Sequence, residues 1–345
     1  MTDHTHIIGI DLGKNWFHVV SIDSQGNPGL RKKFTRAQLA QFAATTPPAI
    51  VAMESCPGSQ HWGRRFSQNG HEIRIIPAQF VKPYLKSNKN DFNDAAAIAE
   101  AASRATMRFV PLKSPEQLEL QATHRVRERF VAERTAVVNQ MRALLLEHGI
   151  TVAVGRALFG RRMPEILQEV DNGLSLKMRD LFRRLRTRWL ALDVEIEEVT
   201  MLIKEASAHS ELCQRALTVP GIGPIISTAV VAAVGNARMF RRGRDMAAWL
   251  GLVPRQHSTG GKSNLGSISK RGNPYLRKLF IQGAQTLLTN MKRDRSRLGE
   301  WLKVIESRSH RNITIVALAN KLVRICWKML TTGDAYRPYP SRATA

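Results

Sequence analysis

The chain has 345 residues, 43% of them hydrophobic, enough for two cores and too apolar for disorder throughout. Lysine and arginine number 52 against 28 acids, a formal charge of +24, which points to a polyanionic partner, nucleic acid before a ribosomal-type or membrane-surface role. Three scattered cysteines, Cys56, Cys213 and Cys326, argue against a disulfide framework or zinc ribbon; with no leader-like start and no bilayer-length apolar run, a reducing, cytoplasmic setting is expected.

The first apolar run, residues 6–12, reads as a buried strand with one carboxylate, Asp11, near its centre. Its isoleucines and leucine favour strand over helix. An ionised Asp in such a strand needs metal, hydrogen bonds or counter-charge, because otherwise it protonates. Strands over 16–23 and 30–34, joined by Ser24-Gln25-Gly26-Asn27-Pro28, complete a three-stranded meander. After a short helix over 38–44, residues 49–54 form a fourth apolar strand ending in Glu54. A helix and a fifth strand, 72–76, follow, and then Asn90-Asp91-Phe92-Asn93-Asp94-Ala95 opens an alanine-rich helix. Asp91 and Asp94, three residues apart, share one face of it.

Four acids delivered from the first strand, the end of the fourth and a helix after the fifth match the ribonuclease H fold with its metal-binding centre. Gly9-Ile10-Asp11, the Met53-Glu54 strand end and the 90–95 segment resemble the insertion sequence 110 family of transposases, and the resemblance continues to the C-terminus. It implies a RuvC-like α/β domain over 1–110 in which Asp11, Glu54, Asp91 and Asp94 form a catalytic tetrad. Carboxylates that converge cannot all stay ionised without cations, so the tetrad implies one or two Mg²⁺ ions.

Ser114 and Pro115 open a long helix running to Glu147, with Val126, Phe130, Val137, Met141 and Leu144 at intervals of three or four. A second long helix over 176–205 carries a cleaner seam, Phe182, Leu185, Trp189, Leu192, Ile196, Val199 and Ile203, at heptad spacing. Joined by a connector over 150–175, the two predict an antiparallel coiled-coil hairpin, domain 111–212. Arg179, Arg183, Arg184, Arg186 and Arg188 are expected on its outward face, either as a solvated flank or as a backbone-binding stripe.

The remaining domain, 213–345, reads as mainly α-helical. Thr218-Val219-Pro220-Gly221-Ile222-Gly223-Pro224 resembles the hairpin of a helix-hairpin-helix module, in which Gly221 and Gly223 let backbone amides face a phosphate; a plain interhelical turn looks the same. Arg241 and Arg242 add positive charge before a short apolar helix over 247–252. The polar, glycine-rich segment from Gly251 to Asn273 is expected to be a loop. The family carries a nucleophilic serine in a segment like this one. Matching from Ser269-Lys270-Arg271-Gly272 places it at Ser258; matching from Pro254 places it at Thr259; Ser263 is third. His257 is adjacent, but sequence neighbours often point apart. Arg255, Lys262, Lys270 and Arg271 are expected to hold phosphates. Helices over 274–288, 297–306 and 313–330 look like amphipathic packing, and the tail after Gly333 reads as loose.

The resemblance implies a DNA recombinase that cleaves and exchanges strands through the serine, presented by another protomer to the metal-bound phosphate. It implies guidance by a structured non-coding RNA pairing with donor and target DNA, a homo-oligomer of dimer-of-dimers form, and a place in the bacterial cytoplasm at the nucleoid. A resolvase-like endonuclease using water shares the tetrad without needing the serine. Gly9-Ile10-Asp11-Leu12-Gly13-Lys14 also resembles the first phosphate loop of actin-like ATPases and sugar kinases, although no second phosphate loop is evident. A non-catalytic nucleic-acid scaffold is the third rival.

Overall fold

The computed structural model describes residues 6–86 and 90–338; residues 1–5 and 339–345, on which the leader and tail expectations partly rest, lie outside them. The chain divides into two compact units, Met1–Ser114 and Pro115–Ala345. No helix among the described residues is long and apolar enough to cross a membrane.

In the first unit, β1 (Ile7–Leu12), β2 (Trp16–Ile22) and β3 (Pro28–Thr35) form the meander. They are followed by α1 (Arg36–Thr45), β4 (Ile50–Glu54), α2 (Ser59–Gln68), β5 (Glu72–Ile76), α3 (Ala78–Val81) and α4 (Asp91–Ala102). The sheet order is β3-β2-β1-β4-β5, antiparallel across β1, β2 and β3 and parallel across β1, β4 and β5. Parallel pairing requires crossovers, which α1 and α2 supply. A capping box starts α1, with Thr35 Oγ1 accepting from the Gln38 amide and Gln38 Oε1 accepting from the Thr35 amide.

Strand alternation then divides the two faces. Ile8, Ile10, Phe17, Val19, Val51 and Met53 pack with Leu39, Trp62 and Phe66 of α1 and α2. Ala52 and Ile76 pack with Ala97, Ile98 and Ala101 of α4 on the other face. On that face Gly9 sets the depth of α4: a Cβ there would stand 2.2 Å from the Ala95 carbonyl oxygen and 2.9 Å from the Ala99 Cβ. A strand residue without a side chain meets a helix of alanines, so the two backbones approach closely.

The second unit contains α5 (Pro115–Glu147), α6 (Arg156–Gln168), α7 (Leu176–His209), α8 (Glu211–Leu217), α9 (Pro224–Val234) and α10 (Gly243–Trp249). β6 (Pro254–Thr259), β7 (Lys262–Ile268), α11 (Pro274–Asn290), α12 (Arg297–Glu306) and α13 (Arg311–Thr332) complete it. α5 and α7 run antiparallel, since Arg127 Nε donates to Thr200 Oγ1 at 2.7 Å while Arg134 and Arg188 pair with Asp193 and Glu133 at 2.9 and 3.0 Å. The connector expected between them holds α6, whose Phe159, Met163 and Ile166 pack on Met141, Leu145, Phe182 and Trp189.

Helix α6 overturns the expectation for Arg179, which is 6% exposed rather than outward-facing. Its guanidinium donates to the carbonyls of Leu167 (3.0 Å), Glu169 (2.6 Å) and Leu174 (3.0 Å) and to Asn172 Oδ1 (2.6 Å). It neutralises the C-terminal end of α6, a site where cations are favoured. Of the rest of that stripe, Arg184 is paired with Asp180 and Arg188 with Glu133.

A buried polar link ties α5, α9 and α11 together. Thr228 Oγ1 donates to the Pro224 carbonyl at 2.6 Å, so it accepts from His124 Nε2 at 2.9 Å, and His124 Nδ1 accepts from the Tyr275 hydroxyl at 2.9 Å. Burial, with Arg127 nearby, pushes the His124 imidazole down to about 4, so it is neutral at pH 7. The chain after Gly333 is not loose as far as it is described: the Tyr336 amide donates to Thr218 Oγ1 at 2.8 Å and the ring packs on the core of α8 to α13.

Candidate active site

Three elements bring the four predicted acids to one end of the sheet in the first unit. Asp11 shares with Gly9 the face of β1 that lies under α4, Glu54 ends the neighbouring strand β4, and Asp91 and Asp94 occupy the first turn of α4. Asn90 fixes that turn, its side chain accepting from the Phe92 amide at 2.9 Å and its carbonyl from the Asp94 amide at 2.9 Å. Because Gly9 lies against Ala95, the helical turn before Ala95 falls over Asp11.

The carboxylates feel one another. Burial first, then the charges of Asp94 and Asp91, and least that of Glu54, push the Asp11 carboxyl up to about 6, with His18 opposing the rise. Burial and the charge of Asp94 raise Glu54 as well. Like charges in a partly desolvated site are the ordinary cause of such shifts.

His18 was not singled out from the sequence. It stands directly across from Asp11 in the β1–β2 register and is 8% exposed. Its Nδ1 is 3.4 Å from Asp91 Oδ2, and its ring meets that of Phe92 edge-on at 4.7 Å. Donor atoms of Asp11, His18 and Asp91 all lie within 4.8 Å of one another; Glu54 and Asp94 fall outside this tightest group but act on it by charge. A polar residue at an inward position of the apolar strand β2, Phe17-His18-Val19-Val20, was the available signal. As a donor set the site fits a divalent cation: hard carboxylate oxygens, a nearby imidazole nitrogen, and negative charge that an ion would offset.

Ser258 belongs to the second unit and sits on a two-stranded ribbon, not a loop. Gly260 and Gly261, at φ of 56° and 77°, form a tight two-residue turn, and Ser258 pairs with Ser263 and Thr259 with Lys262. Glycines are favoured there because both positions need the left-handed region. Ser258 is exposed, and its hydroxyl accepts from Gln256 Nε2 at 2.8 Å. His257 and Thr259 project from the opposite face. The base of the ribbon is clamped, with the Ser269 amide donating to Val253 O at 2.8 Å and Arg277 Nη1 donating to the Leu250 and Arg271 carbonyls at 3.0 Å. Arg255, Lys262, Lys270 and Arg271 are exposed along it, and Arg241 and Arg242 are exposed beside α10.

The Gly221 turn packs on one side and is open on the other, since a Cβ on Gly223 would meet nothing within 4 Å and both glycines line a surface pocket. Gly221 has φ of 81°, and a Cβ on it would come within 2.9 Å of the Gly283 carbonyl on α11, so packing alone accounts for that glycine. Gly223 is the residue before Pro224, where α9 begins.

Two family profiles match the chain. One, described as a transposase profile of the DEDD IS110 type, covers residues 8–150; the other, described as the transposase IS116/IS110/IS902 family, covers 213–298. The transposase for insertion sequence element IS1328 of Yersinia enterocolitica is 45% identical over 330 residues, 96% of this chain and 98% of its own. A probable family 20 transposase of Pseudomonas aeruginosa is 44% identical, covering 96% of this chain and 98% of its own. The transposase for insertion sequence element IS1111A of Coxiella burnetii is 43% identical, covering 96% and 91%. Identity at this level over nearly the full length of both chains, with acids gathered at the sheet end within the first profile, makes the protein a member of the IS110 family of insertion-sequence transposases.

Proposed function

We propose that the protein is a Mg²⁺-dependent strand-exchange enzyme with a RuvC-like ribonuclease H domain over 1–110, a coiled-coil arm over 111–212 and a serine-bearing domain over 213–345. The sheet order β3-β2-β1-β4-β5, antiparallel in its first three strands and parallel in the rest, supports the ribonuclease H assignment. One observation carries the metal assignment: Asp91, Asp94 and Glu54 gather around Asp11 closely enough to help push it to about 6. Asp11, Glu54, Asp91 and Asp94 would hold the ions, which would supply charge stabilisation for the attacking and leaving oxygens of a phosphodiester.

The chain's own groups do the rest. β1, β4 and α4 hold the carboxylates in place before DNA arrives, and His18 positions Asp91. Ser258 is the attacking residue, with Thr259 the alternative in the neighbouring register. Attack forms an Oγ–P bond and breaks one P–O bond of the DNA backbone; the departing deoxyribose oxygen can later reverse the step on another strand. His257 faces away from Ser258 along the ribbon; the hydroxyl proton passes to water as Ser258 attacks, and the departing deoxyribose oxygen takes one up from water to leave as a hydroxyl. Arg255, Lys262, Lys270 and Arg271, with Gly221, Gly223, Arg241 and Arg242, hold phosphates. The +24 charge supports a nucleic-acid partner, and family membership suggests element ends and target DNA together with a structured non-coding guide RNA, a homo-oligomer of dimer-of-dimers form and the bacterial cytoplasm.

The test is a denaturant quench of the protein reacting with DNA carrying the element ends. A covalent protein–DNA adduct at Ser258, absent in Ser258→Ala and in Asp11→Asn, is the expected result. Cleavage that persists in Ser258→Ala without any adduct would replace the serine with water as the nucleophile.

A further inference from the structure

A cleft of about 950 Å³ opens in the second unit between the start of α10, one face of α13 and residues 334–338. Lys321, Arg324 and Lys328 project into it from α13, three and four residues apart and so on one face. Arg242, just before α10, and Arg244 in its first turn line it, with Arg337 from the tail. Among the described residues none of these six cations is in an ion pair. Asp334 is the one carboxylate among the residues lining the cleft. Burial first and then the neighbouring Arg324 charge lower Lys321, and an anion between these two would offset their repulsion.

The walls are aromatic and fixed. A Cβ on Gly243 would stand 3.1 Å from both the Arg324 carbonyl oxygen and Trp327 Cε3, so α10 lies tightly on α13. Trp327 Nε1 donates to the Phe240 carbonyl at 3.2 Å, and Tyr336 is held through its amide on Thr218. Trp327 and Tyr336, both partly buried, line the cleft.

We propose that this cleft binds a single-stranded stretch of nucleic acid, its phosphates on the six cations and a base against Trp327 or Tyr336. A lone phosphate would leave most of the volume empty. A duplex offers no bare base face to the aromatic walls, whereas stacking on aromatic side chains with a cationic backbone track is how single strands are held without sequence preference. Asp334 supplies an acceptor for a base amino group or a ribose hydroxyl.

The experiment uses the full-length protein with fluorescently labelled single strands, (dT)₁₂ and (rU)₁₂, and a duplex of equal length. Arg324→Ala/Lys328→Ala is expected to weaken single-strand binding about tenfold and to flatten its dependence on log salt by about 1.4, two phosphate contacts at roughly 0.7 each. Tyr336→Ala should lose about tenfold and Tyr336→Phe little, since the stacking face survives. Strands carrying 5-iodouracil should photocross-link to Trp327 or Tyr336. Preference for DNA or for RNA supports the proposal and identifies the strand. Wild-type affinity in the double variant, equal losses for duplex and single strand, or cross-links confined to other segments would overturn it. The proposal is independent of the metal site: the cleft variants should bind Mn²⁺ as the wild type does, and Asp11→Asn should bind single strands undiminished.

Discussion

The acids around Asp11 and the cations around Arg324 both crowd like charges together, but the fold builds the two crowds differently. The acids have short side chains set on β1, β4 and the first turn of α4, and their mutual distance follows from the backbone contact of Gly9 with Ala95. The cations have long side chains, most of them exposed, on a cleft whose rigid parts are its aromatic walls. A divalent ion has a small coordination sphere and requires fixed oxygens. A polymeric anion varies in path, and flexible arginines and lysines can follow it while the rings fix one base. The difference teaches that charge density alone says little about a ligand; the stiffness of the groups that carry it says more.

The comparison is broken most severely at its acidic pole. Asp11→Asn is expected to lower strand cleavage about 10³-fold, because ion binding at such a site supplies several kcal/mol of transition-state stabilisation, while nucleic-acid binding is kept. Parallel cleavage and binding assays check it; equal loss of both would dissolve the distinction between the two regions. Gly9→Ala attacks the same pole through its scaffold. The added methyl cannot fit 2.2 Å from a carbonyl oxygen, so α4 must move, and a loss of about 3 kcal/mol in urea unfolding is expected together with weaker Mn²⁺ binding.

The second unit has a pH sensitivity of its own that involves no charge cluster. The folded chain keeps His124 neutral down to about pH 4, whereas the unfolded chain protonates it near 6.5. Its contribution is therefore complete above pH 6.5 and is lost progressively as pH falls toward 4, roughly 2 kcal/mol of it by pH 5. Urea titrations at pH 7.5 and 5 should show this, and His124→Leu, less stable at both, should lack that part of the pH difference. The smallest effect sharpens the acidic site. His18→Asn should weaken Mn²⁺ binding about tenfold, as loss of a positioning partner commonly does, and leave the folding midpoint nearly unchanged. Calorimetric titration with Mn²⁺ decides it, and unaltered affinity would remove His18 from the site.

Much of the first unit was legible from local pattern. Short apolar runs bounded by turn formers located the five strands, Asp11 stood out because a carboxylate in a buried strand is expensive without a partner, and Asp91 and Asp94 stood out by their spacing on one face of an alanine-rich helix and by the family resemblance. His18 escaped because a single histidine in a strand is ordinary until the register places it opposite Asp11. The β6–β7 ribbon looks like a loop in sequence, although Gly260-Gly261 between two short polar runs is a hairpin signal; its strands are almost wholly exposed and so lack the apolar alternation that marks a strand. Arg179 was misplaced because heptad spacing describes α7 against α5 and does not register α6, the element that folds back over it.

By itself the sequence determined the strands of the first unit and the long helices of the second, the order in which the acids arrive, and the overall positive charge, because these depend on residue type and on spacing within a few positions. Only the tertiary structure decided which residues meet. The approach of β1 to α4 through Gly9, the pairing of His18 with Asp11, the burial of Arg179 and the gathering of six cations from α10, α13 and the tail join positions far apart in the chain. Such contacts are set by packing and register summed over a whole unit, and no local window of residues contains that information.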